Sequence, residues 1–188
     1  MIPRKLKSND VRLIVDHLTG LQGEDRRLRF GGTVSDSYIT EYVERSFLEG
    51  NSQWFGVDHI DGHIVAACHT AINEGQAELG CSVNPDYRNQ GFAQLMFDRA
   101  VTWLRTKGIQ EVYMHCLSEN GAMKHIAKKN DMTVVSEYGE ADANVLIEPA
   151  TPSTPFEDAY MDRMAMYDMM FKNSYRAFHK MMKATSIP

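Results

Sequence analysis

A glycine-containing loop between a strand and a helix is the feature that most constrains how this chain folds. An apolar, strand-like run over residues 77–83 leads into the loop, and a helix with apolar residues at three-to-four spacing follows it. The loop consists of Arg88, Asn89, Gln90, Gly91, Phe92 and Ala93. Gly91 and Ala93 leave the backbone accessible, and the first N–H groups of a helix have no partner within it. Because a helix N-terminus favours anions and Arg88 adds a cation, the loop is predicted to bind a pyrophosphate.

The sequence around this loop resembles the central motif of the GNAT superfamily of acetyl-CoA-dependent N-acetyltransferases. That motif is a strand ending in V-x-P followed by [RQ]-x-x-G-x-[GA], and residues 83–93 match it. A strand over residues 112–117, with Asn120 opening the helix that follows, is similar to the next motif of the family. The resemblance is specific over residues 76–135. Two motifs in the right order, each at a strand-to-helix junction, are far more specific than one short match.

The resemblance implies an α/β GNAT fold, with a mixed, mostly antiparallel central sheet, one parallel splayed strand pair and flanking helices. The residues agree with this fold. Strand patterns over 54–60, 63–72 and 76–83 predict an antiparallel meander. A strand over 111–117 follows a helical crossover and must therefore run parallel to its neighbour. We expect a loop over residues 21–33, and a closing hairpin formed by residues 132–136 and 144–148.

We expect an acetyltransferase domain over residues 1–148 and an appendage over residues 149–188. The appendage begins with a proline-rich linker and continues as an amphipathic helix, whose start at Thr154 to Glu157 fits a capping box. Its apolar stripe comprises Tyr160, Met164, Tyr167, Phe171, Tyr175 or Ser174, Phe178 and Met182. Such a stripe must be buried against something. Packing on its own domain, a homodimer contact and a lid over the acceptor site are the alternatives.

Composition and charge exclude several classes of protein. The net charge of −5 argues against a nucleic-acid binder, which needs an excess of Lys and Arg on one face. No apolar run approaches the roughly 20 residues that span a bilayer, and the N-terminus lacks the apolar core of a signal peptide, so we expect no membrane association and a cytoplasmic location. His59 and His63 bracket a hairpin turn without a third ligand, and we expect no metal.

Acetyl transfer to an amine requires a neutral nitrogen, a polarised thioester carbonyl and a route for the proton. Glu78 is the first candidate for the base, because it lies on the strand leading into the loop and GNAT members often place a glutamate there; a solvated edge position is its alternative role. His69 and His115 are weaker candidates. A backbone N–H of Val83 or Ser82 is expected to polarise the carbonyl. The resemblance places Asn120 against the cofactor, a role compatible with capping its helix.

The usual general acid of the family is a tyrosine at a position that is Ala127 in this chain. The alternatives are that Tyr138 acts as the acid or that the thiolate is released to water. The predicted function is an N-acetyltransferase that moves an acetyl group from acetyl-CoA to a primary amine by direct attack, and the alternative is a catalytically silent CoA-binding sensor or interaction module. A longer acyl donor also stays open. The acceptor is an amine-bearing small molecule or a protein lysine, since Ala127 and residues 26–30 loosely resemble bacterial protein-lysine acetyltransferases; the acidic balance favours a cationic acceptor.

Overall fold

A seven-stranded sheet in the order β1-β2-β3-β4-β5-β7-β6 organises the computed structural model. The strands are β1 (Arg4–Leu6), β2 (Ser52–Asp58), β3 (Ile64–Asn73), β4 (Gln76–Val83), β5 (Glu111–Leu117), β6 (Thr133–Glu137) and β7 (Glu140–Leu146). The helices are α1 (Val11–Thr19), α2 (Gly23–Phe30), α3 (Asp36–Leu48), α4 (Phe92–Thr106), α5 (Gly121–Lys129) and α6 (Thr154–Thr185). The structure describes residues 1–185, with side chains as far as Lys183. Among these residues, no helix is both long and apolar enough to cross a membrane.

The sheet is antiparallel except where β4 pairs with β5. These two strands are in register only from Gln76 opposite Glu111 to Glu78 opposite Tyr113, and beyond that point they diverge. On its other edge, β4 pairs with β3 along its whole length. The second half of β4 therefore has backbone groups without a strand partner on the β5 side. The predicted mixed sheet with a splayed parallel pair is confirmed.

Two apolar cores, one on each face of the sheet, fix the helices in place. Side chains alternate between the faces of a strand, so β4 contributes Leu79 to the core that it shares with Met96 of α4. The opposite core joins Trp54 of β2 to Ile14 of α1 and Val43 of α3. Burying each such side chain contributes about 1.5–3 kcal/mol. The packing of α4 against the sheet thereby sets the position of the loop that precedes it.

The segment between α1 and α3 contains a helix, and the expectation of a loop over residues 21–33 is wrong. Helix α2 has no apolar stripe, which is why hydrophobic periodicity does not reveal it. Side-chain hydrogen bonds to backbone carbonyls hold it instead. Arg26 Nε donates to the Leu21 carbonyl at 3.0 Å, and Asn120 Nδ2 donates to the Leu28 carbonyl at 3.2 Å.

The closing hairpin is present, but its second strand begins earlier than the predicted 144–148. Strand β7 starts at Glu140 and pairs with both β5 and β6. The two residues between β6 and β7, Tyr138 and Gly139, have φ values of 50° and 91°. Positive φ at both central positions is the requirement of a type I′ two-residue turn. Because this turn is Tyr-Gly rather than the usual Asn-Gly, the sequence pattern places it incorrectly.

Helix α6 packs against β1 and α4 through charged residues. The guanidinium of Arg99, which is 2% exposed, lies 2.6 Å from Asp158 Oδ1 and 2.5 Å from Asp162 Oδ1. Lys5 of β1 contacts the same two carboxylates at 2.7 and 2.8 Å. Farther along, the buried Lys172 donates to the Asp58 carbonyl at 2.7 Å. A network of ion pairs thus holds the helix on its own domain.

The apolar stripe of α6 points away from the domain. Its aromatic residues Tyr160, Tyr167, Phe171 and Phe178 are 64%, 53%, 67% and 58% exposed. Beyond Lys172, every side chain described in α6 is exposed except the half-buried Arg176. Packing on its own domain therefore leaves the aromatic residues of the predicted stripe exposed.

Candidate active site

A cavity of about 750 Å³ opens where β4 and β5 diverge. Its walls are α2, the end of β4, the loop before α4, the first turn of α4, and α5. The residues predicted to bind the cofactor that line it are Ser82, Val83, Arg88, Asn89, Gly91, Phe92, Ala93 and Asn120. Gln90 lies in the same loop with its side chain exposed to solvent and does not line the cavity. The structure thus brings all but one of these residues to a single cavity.

Gly91 immediately precedes α4 in the left-handed conformation, with φ of 82°. Residues with a Cβ rarely adopt this conformation, and a Cβ built on Gly91 meets no protein atom within 4 Å. In the described part of the chain, no side chain caps the N-terminus of α4. The first N–H groups of α4 are therefore available to an anion, and they fit the pyrophosphate of coenzyme A.

Arg88, the predicted cation of the loop, forms an ion pair with α2. Its Nη2 lies 2.7 Å from Asp25 Oδ1, and its Nε lies 3.4 Å from the Val83 carbonyl. Asp25 also lines the cavity. The pair connects α2 to the loop, and the sequence analysis missed Asp25 because it did not predict α2.

The open edge of β4 presents a backbone donor to the cavity. Asn84 N–H donates to the Val65 carbonyl of β3 at 2.9 Å. Backbone groups of alternate residues point to the same side of a strand, so the N–H of Ser82 also faces β3. The Val83 N–H points the opposite way, towards the gap left by β5. Of the two predicted donors, Val83 is the one oriented to polarise a carbonyl in the cavity.

The Ser82 side chain is held by His17 of α1, a residue that the sequence analysis did not single out. His17 Nδ1 lies 3.0 Å from the Ile64 carbonyl, and Nε2 lies 2.9 Å from Ser82 Oγ. Because a carbonyl only accepts, Nδ1 carries the hydrogen and Nε2 accepts from the Ser82 hydroxyl. Burial lowers the pKa of His17 to about 4, so the ring is neutral at pH 7.

Glu78, the predicted general base, lies where β4 and β5 begin to diverge. It is not among the residues that line the cavity. Its neighbour in register is Tyr113, whose hydroxyl donates to Glu78 Oε2 across 3.4 Å. Burial and the charge of Glu78 raise the pKa of Tyr113. Glu78 therefore has a protonated phenol beside it, which the sequence analysis missed because the contact depends on strand pairing.

The two weaker candidates for the base occupy different environments. His69 is buried, bonds to the Tyr42 hydroxyl through Nδ1 at 2.7 Å and stacks on Trp54. Burial, together with the charge of Arg29, lowers the pKa of His69 to about 3. His115 is exposed, and its hydrogen bond to Asp142 raises its pKa. His69 is thus a neutral structural residue, and neither histidine lines the cavity.

Neither position considered for the general acid lies in the cavity. Ala127 lies on the buried face of α5, is 1% exposed and packs in the core. Tyr138 is fully exposed in the turn between β6 and β7. Asn120, by contrast, lines the cavity and caps α5, since its Oδ1 accepts the Met123 N–H at 3.1 Å. Release of the thiolate to water is the alternative compatible with this arrangement.

Within residues 1–185, one group of three side chains could hold a metal ion. Asp61 Oδ1 lies 3.0 Å from His59 Nδ1 and 2.6 Å from His63 Nδ1. The sequence analysis found no third ligand for the two histidines, but the turn between β2 and β3 brings Asp61 to both. The group lies outside the cavity lining and plays no part in the chemistry proposed below.

Comparison with known proteins identifies the relatives of this chain. Residues 23–131 match the model of the Acetyltransferase (GNAT) family. No curated protein sequence matches the chain.

Several solved structures share its fold. The GNAT domain of S. lividans PAT is 17% identical, with a TM-score of 0.67, over 77% of this chain and 89% of that domain. The PaiA N-acetyltransferase of Thermoplasma acidophilum in complex with coenzyme A is 16% identical, with a TM-score of 0.59, over 77% of this chain and 97% of that one. The spermidine N-acetyltransferase of Vibrio cholerae in complex with CoA and spermine is 18% identical, with a TM-score of 0.62, over 77% of this chain and 94% of that one.

Proposed function

Because the chain belongs to the Acetyltransferase (GNAT) family, we propose that it transfers an acetyl group from acetyl-CoA to a primary amine in the cavity between α2 and the splayed end of β4. One observation carries this proposal. The uncapped N-terminus of α4 and the unpaired edge of β4 open into the same cavity, so one site offers donors to both a pyrophosphate and a carbonyl.

The residues present fit acetyl-CoA, which supplies an activated thioester. The N–H groups that follow Gly91 would hold the pyrophosphate, with Arg88 beside them. The Val83 N–H would polarise the carbonyl of the thioester. Two contacts join the surrounding walls of the cavity. Asn120 donates to the Leu28 carbonyl of α2, and Asp25 of α2 pairs with Arg88 of the loop.

Glu78 holds the proton that the attacking amine loses, directly or through a bridging water. The new N–C bond forms as the C–S bond breaks, and the thiolate, with an ordinary pKa near 8.5, leaves to solvent. Tyr113 donates a hydrogen bond to the Glu78 carboxylate. No covalent intermediate on the protein is needed, because the thioester is already activated.

The alternative function is a catalytically silent CoA-binding module. It is favoured by Ala127, which leaves the cavity without the usual acid. Isothermal titration with acetyl-CoA, followed by thiol release with amines and lysine peptides, separates the two. Binding with amine-dependent release supports the transferase, and binding with no release from any amine supports the silent module. Absence of acetyl-CoA binding overturns both.

We also propose that the exposed stripe of α6 binds the same stripe of a second copy in an antiparallel homodimer. The positions 160, 164, 167, 171, 174 and 178 are spaced four, three, four, three and four apart, which is a coiled-coil seam that reads the same in both directions. A two-fold axis near residue 169 would place Tyr167 opposite Phe171 and Tyr160 opposite Phe178 of the other copy.

The charges of α6 support the antiparallel arrangement. Its first half contains four acidic residues and one basic residue, whereas residues 170–185 contain four basic residues and no acidic one. Antiparallel helices place these halves against each other and also align their dipoles favourably. The helix spans roughly 48 Å at about 1.5 Å per residue, and its end beyond Lys172 packs on little of its own domain.

Sedimentation velocity tests the homodimer. Phe171→Glu is expected to convert a dimer to a monomer, because it places a charge at the centre of an apolar contact. Asn173→Glu is the matched control, since two residues rotate about 200° around a helix and place the same charge on another face. A wild-type monomer, or equal behaviour of the two variants, contradicts this arrangement.

A further inference from the structure

We propose that the acceptor is a small amine that also carries a carboxylate, and that Arg29 binds this carboxylate. This inference rests on the proposed acetyl transfer and names its substrate class. It starts from a cation that lines the cavity and lacks an acidic partner.

Arg29 differs from the other two arginines of α2. Arg26 pairs with Asp36 at 2.6 Å, and Arg27 pairs with Glu24 at 2.6 Å. Arg29 contacts no carboxylate among residues 1–185, and its Nε is buried without a hydrogen-bond partner. Its one hydrogen bond is a long one, from Nη2 to the Tyr42 hydroxyl at 3.4 Å.

The guanidinium lies against the backbone of β4. A Cβ built on Gly80 would be 3.0 Å from Cζ and from both terminal nitrogens of Arg29, so the planar group lies against the strand at this glycine. The rings of Phe30 and Tyr42 flank it, with centroids 5.1 and 6.0 Å from Cζ. These contacts hold the guanidinium at the inner wall of the cavity, where it forms part of the lining.

Arg29 is half-buried, and a cation that is partly removed from water without a counter-ion is costly. None of the groups that interact with its charge is a carboxylate, since Tyr42 is a phenol, Cys68 and Cys81 are thiols, and His69 is neutral because burial lowers its pKa to about 3. An anionic group of a ligand would therefore be bound strongly here. The pyrophosphate of coenzyme A is not that group, because its predicted site is the N-terminus of α4, which follows the end of β4 at Val83. Arg29 lies at Gly80, about 10 Å of strand before Val83.

The spacing to the base defines the size of the ligand. Glu78 and Gly80 lie on the same face of β4, about 7 Å apart along the strand. An amine near Glu78 and an anion at Arg29 would thus be separated by a short chain, as in an α-, β- or γ-amino acid. A polyamine would bring further positive charge to Arg29, and a protein lysine has no carboxylate so close to its amine. The structure therefore favours a small aminocarboxylic acid over the cationic acceptor or protein lysine considered from sequence.

Titration of the enzyme–CoA complex tests the inference without requiring turnover. The probes are the standard α-amino acids, ornithine, β-alanine and γ-aminobutyrate, and three of them are paired with amines that lack the carboxylate: ornithine with putrescine, phenylalanine with phenethylamine, and β-alanine with ethylamine. We expect at least one acid to bind and, where it has a paired amine, to bind more tightly than that amine. Arg29→Gln should weaken its binding about 10- to 100-fold, the value of a charge-assisted hydrogen bond, with acetyl-CoA affinity unchanged.

Arg12→Gln is the control, because Arg12 is exposed on α1 and its loss changes the net charge equally. Arg29→Lys, which keeps the charge, should restore part of the affinity. Thermal unfolding separates binding from folding: Arg29→Gln should not lower Tm, since it removes a half-buried charge that has no counter-ion.

Several outcomes would overturn the inference. They are equal binding of acids and their paired amines, no binding of any acid, and a parallel loss of Tm and acetyl-CoA affinity in Arg29→Gln. The failure of the transferase itself is distinguishable, because acetyl-CoA binding and amine-dependent thiol release are measured separately.

Discussion

His17 of α1 accepts a hydrogen bond from Ser82 of β4, with 2.9 Å between Nε2 and Oγ. The residues are 65 positions apart in sequence. The contact joins α1 to the cavity wall, and burial of the ring disfavours the charged imidazolium there. Protonation of His17 therefore opposes the folded state.

We expect the free energy of unfolding to decrease as the pH falls from 6.5 towards 4. The pKa of His17 is about 4 in the folded protein, against 6.5 for the free side chain, so the unfolded chain binds the proton more readily in this window. This difference in pKa lowers the free energy of unfolding by roughly 3 kcal/mol at the acidic end of the window, near pH 4. His69, with a pKa of about 3, acts in the same direction.

Urea unfolding between about pH 7 and 4.5 measures this effect. His17→Asn should reduce the slope, and His179→Asn, at an exposed position of α6, should leave it unchanged. Asp10 and Asp158 have lowered pKa values, so their stabilisation is lost only below the ordinary 3.8, outside this window. A slope that His17→Asn does not alter would show that the histidine is not held neutral.

Gly91→Val is expected to weaken acetyl-CoA binding by at least about 100-fold, because its side chain would enter the space into which the α4 N–H groups point. Gly108→Val is the matched control. Both glycines have positive φ, 82° and 75°, and neither has an atom within 4 Å of a built Cβ. Both variants should therefore lose stability similarly, but only Gly91→Val should affect binding. Equal titration curves with acetyl-CoA would contradict the loop assignment.

Glu78→Gln should lower kcat by about 10²- to 10⁴-fold, the usual contribution of a general base, with little change in acetyl-CoA affinity. Thiol release over a range of pH measures the rate, and isothermal titration measures the affinity. Glu74→Gln, in the turn before β4, removes the same charge nearby and should retain full activity. A wild-type pH profile at full rate in Glu78→Gln would remove this residue as the base.

Replacing both Asp158 and Asp162 by Ala should lower the free energy of unfolding by about 3–5 kcal/mol, because it leaves the buried Arg99 without a carboxylate. Asp158→Ala alone should cost less, since Asp162 still pairs with Arg99. Lys180→Ala, at an exposed position, is the control. Urea denaturation at one fixed protein concentration gives the comparison, and a double variant as stable as the control would contradict the ion-pair network.

The strand, loop and helix around Gly91 were predicted because each depends on residues close in sequence. Alternation identifies β4, the glycine marks the left-handed residue, and apolar periodicity identifies α4. The family resemblance then supplied the splayed strand pair, which the structure confirms. The helix over residues 23–30 was missed because its polar sequence has no apolar stripe. Glu78 as the base stays a prediction.

The sequence by itself determined the family, the mixed sheet, the glycine-containing loop before α4 and the helical nature of the C-terminal segment, because local patterns and motifs specify them. Only the tertiary structure decided which side chains meet in the cavity. Arg29 lies on Gly80, and Tyr113 reaches Glu78, through contacts between distant segments that no local period encodes. The same holds for α6. Its stripe predicts a buried face, but ion pairs of Arg99 and Lys5 with its aspartates fix the orientation and turn that stripe outwards.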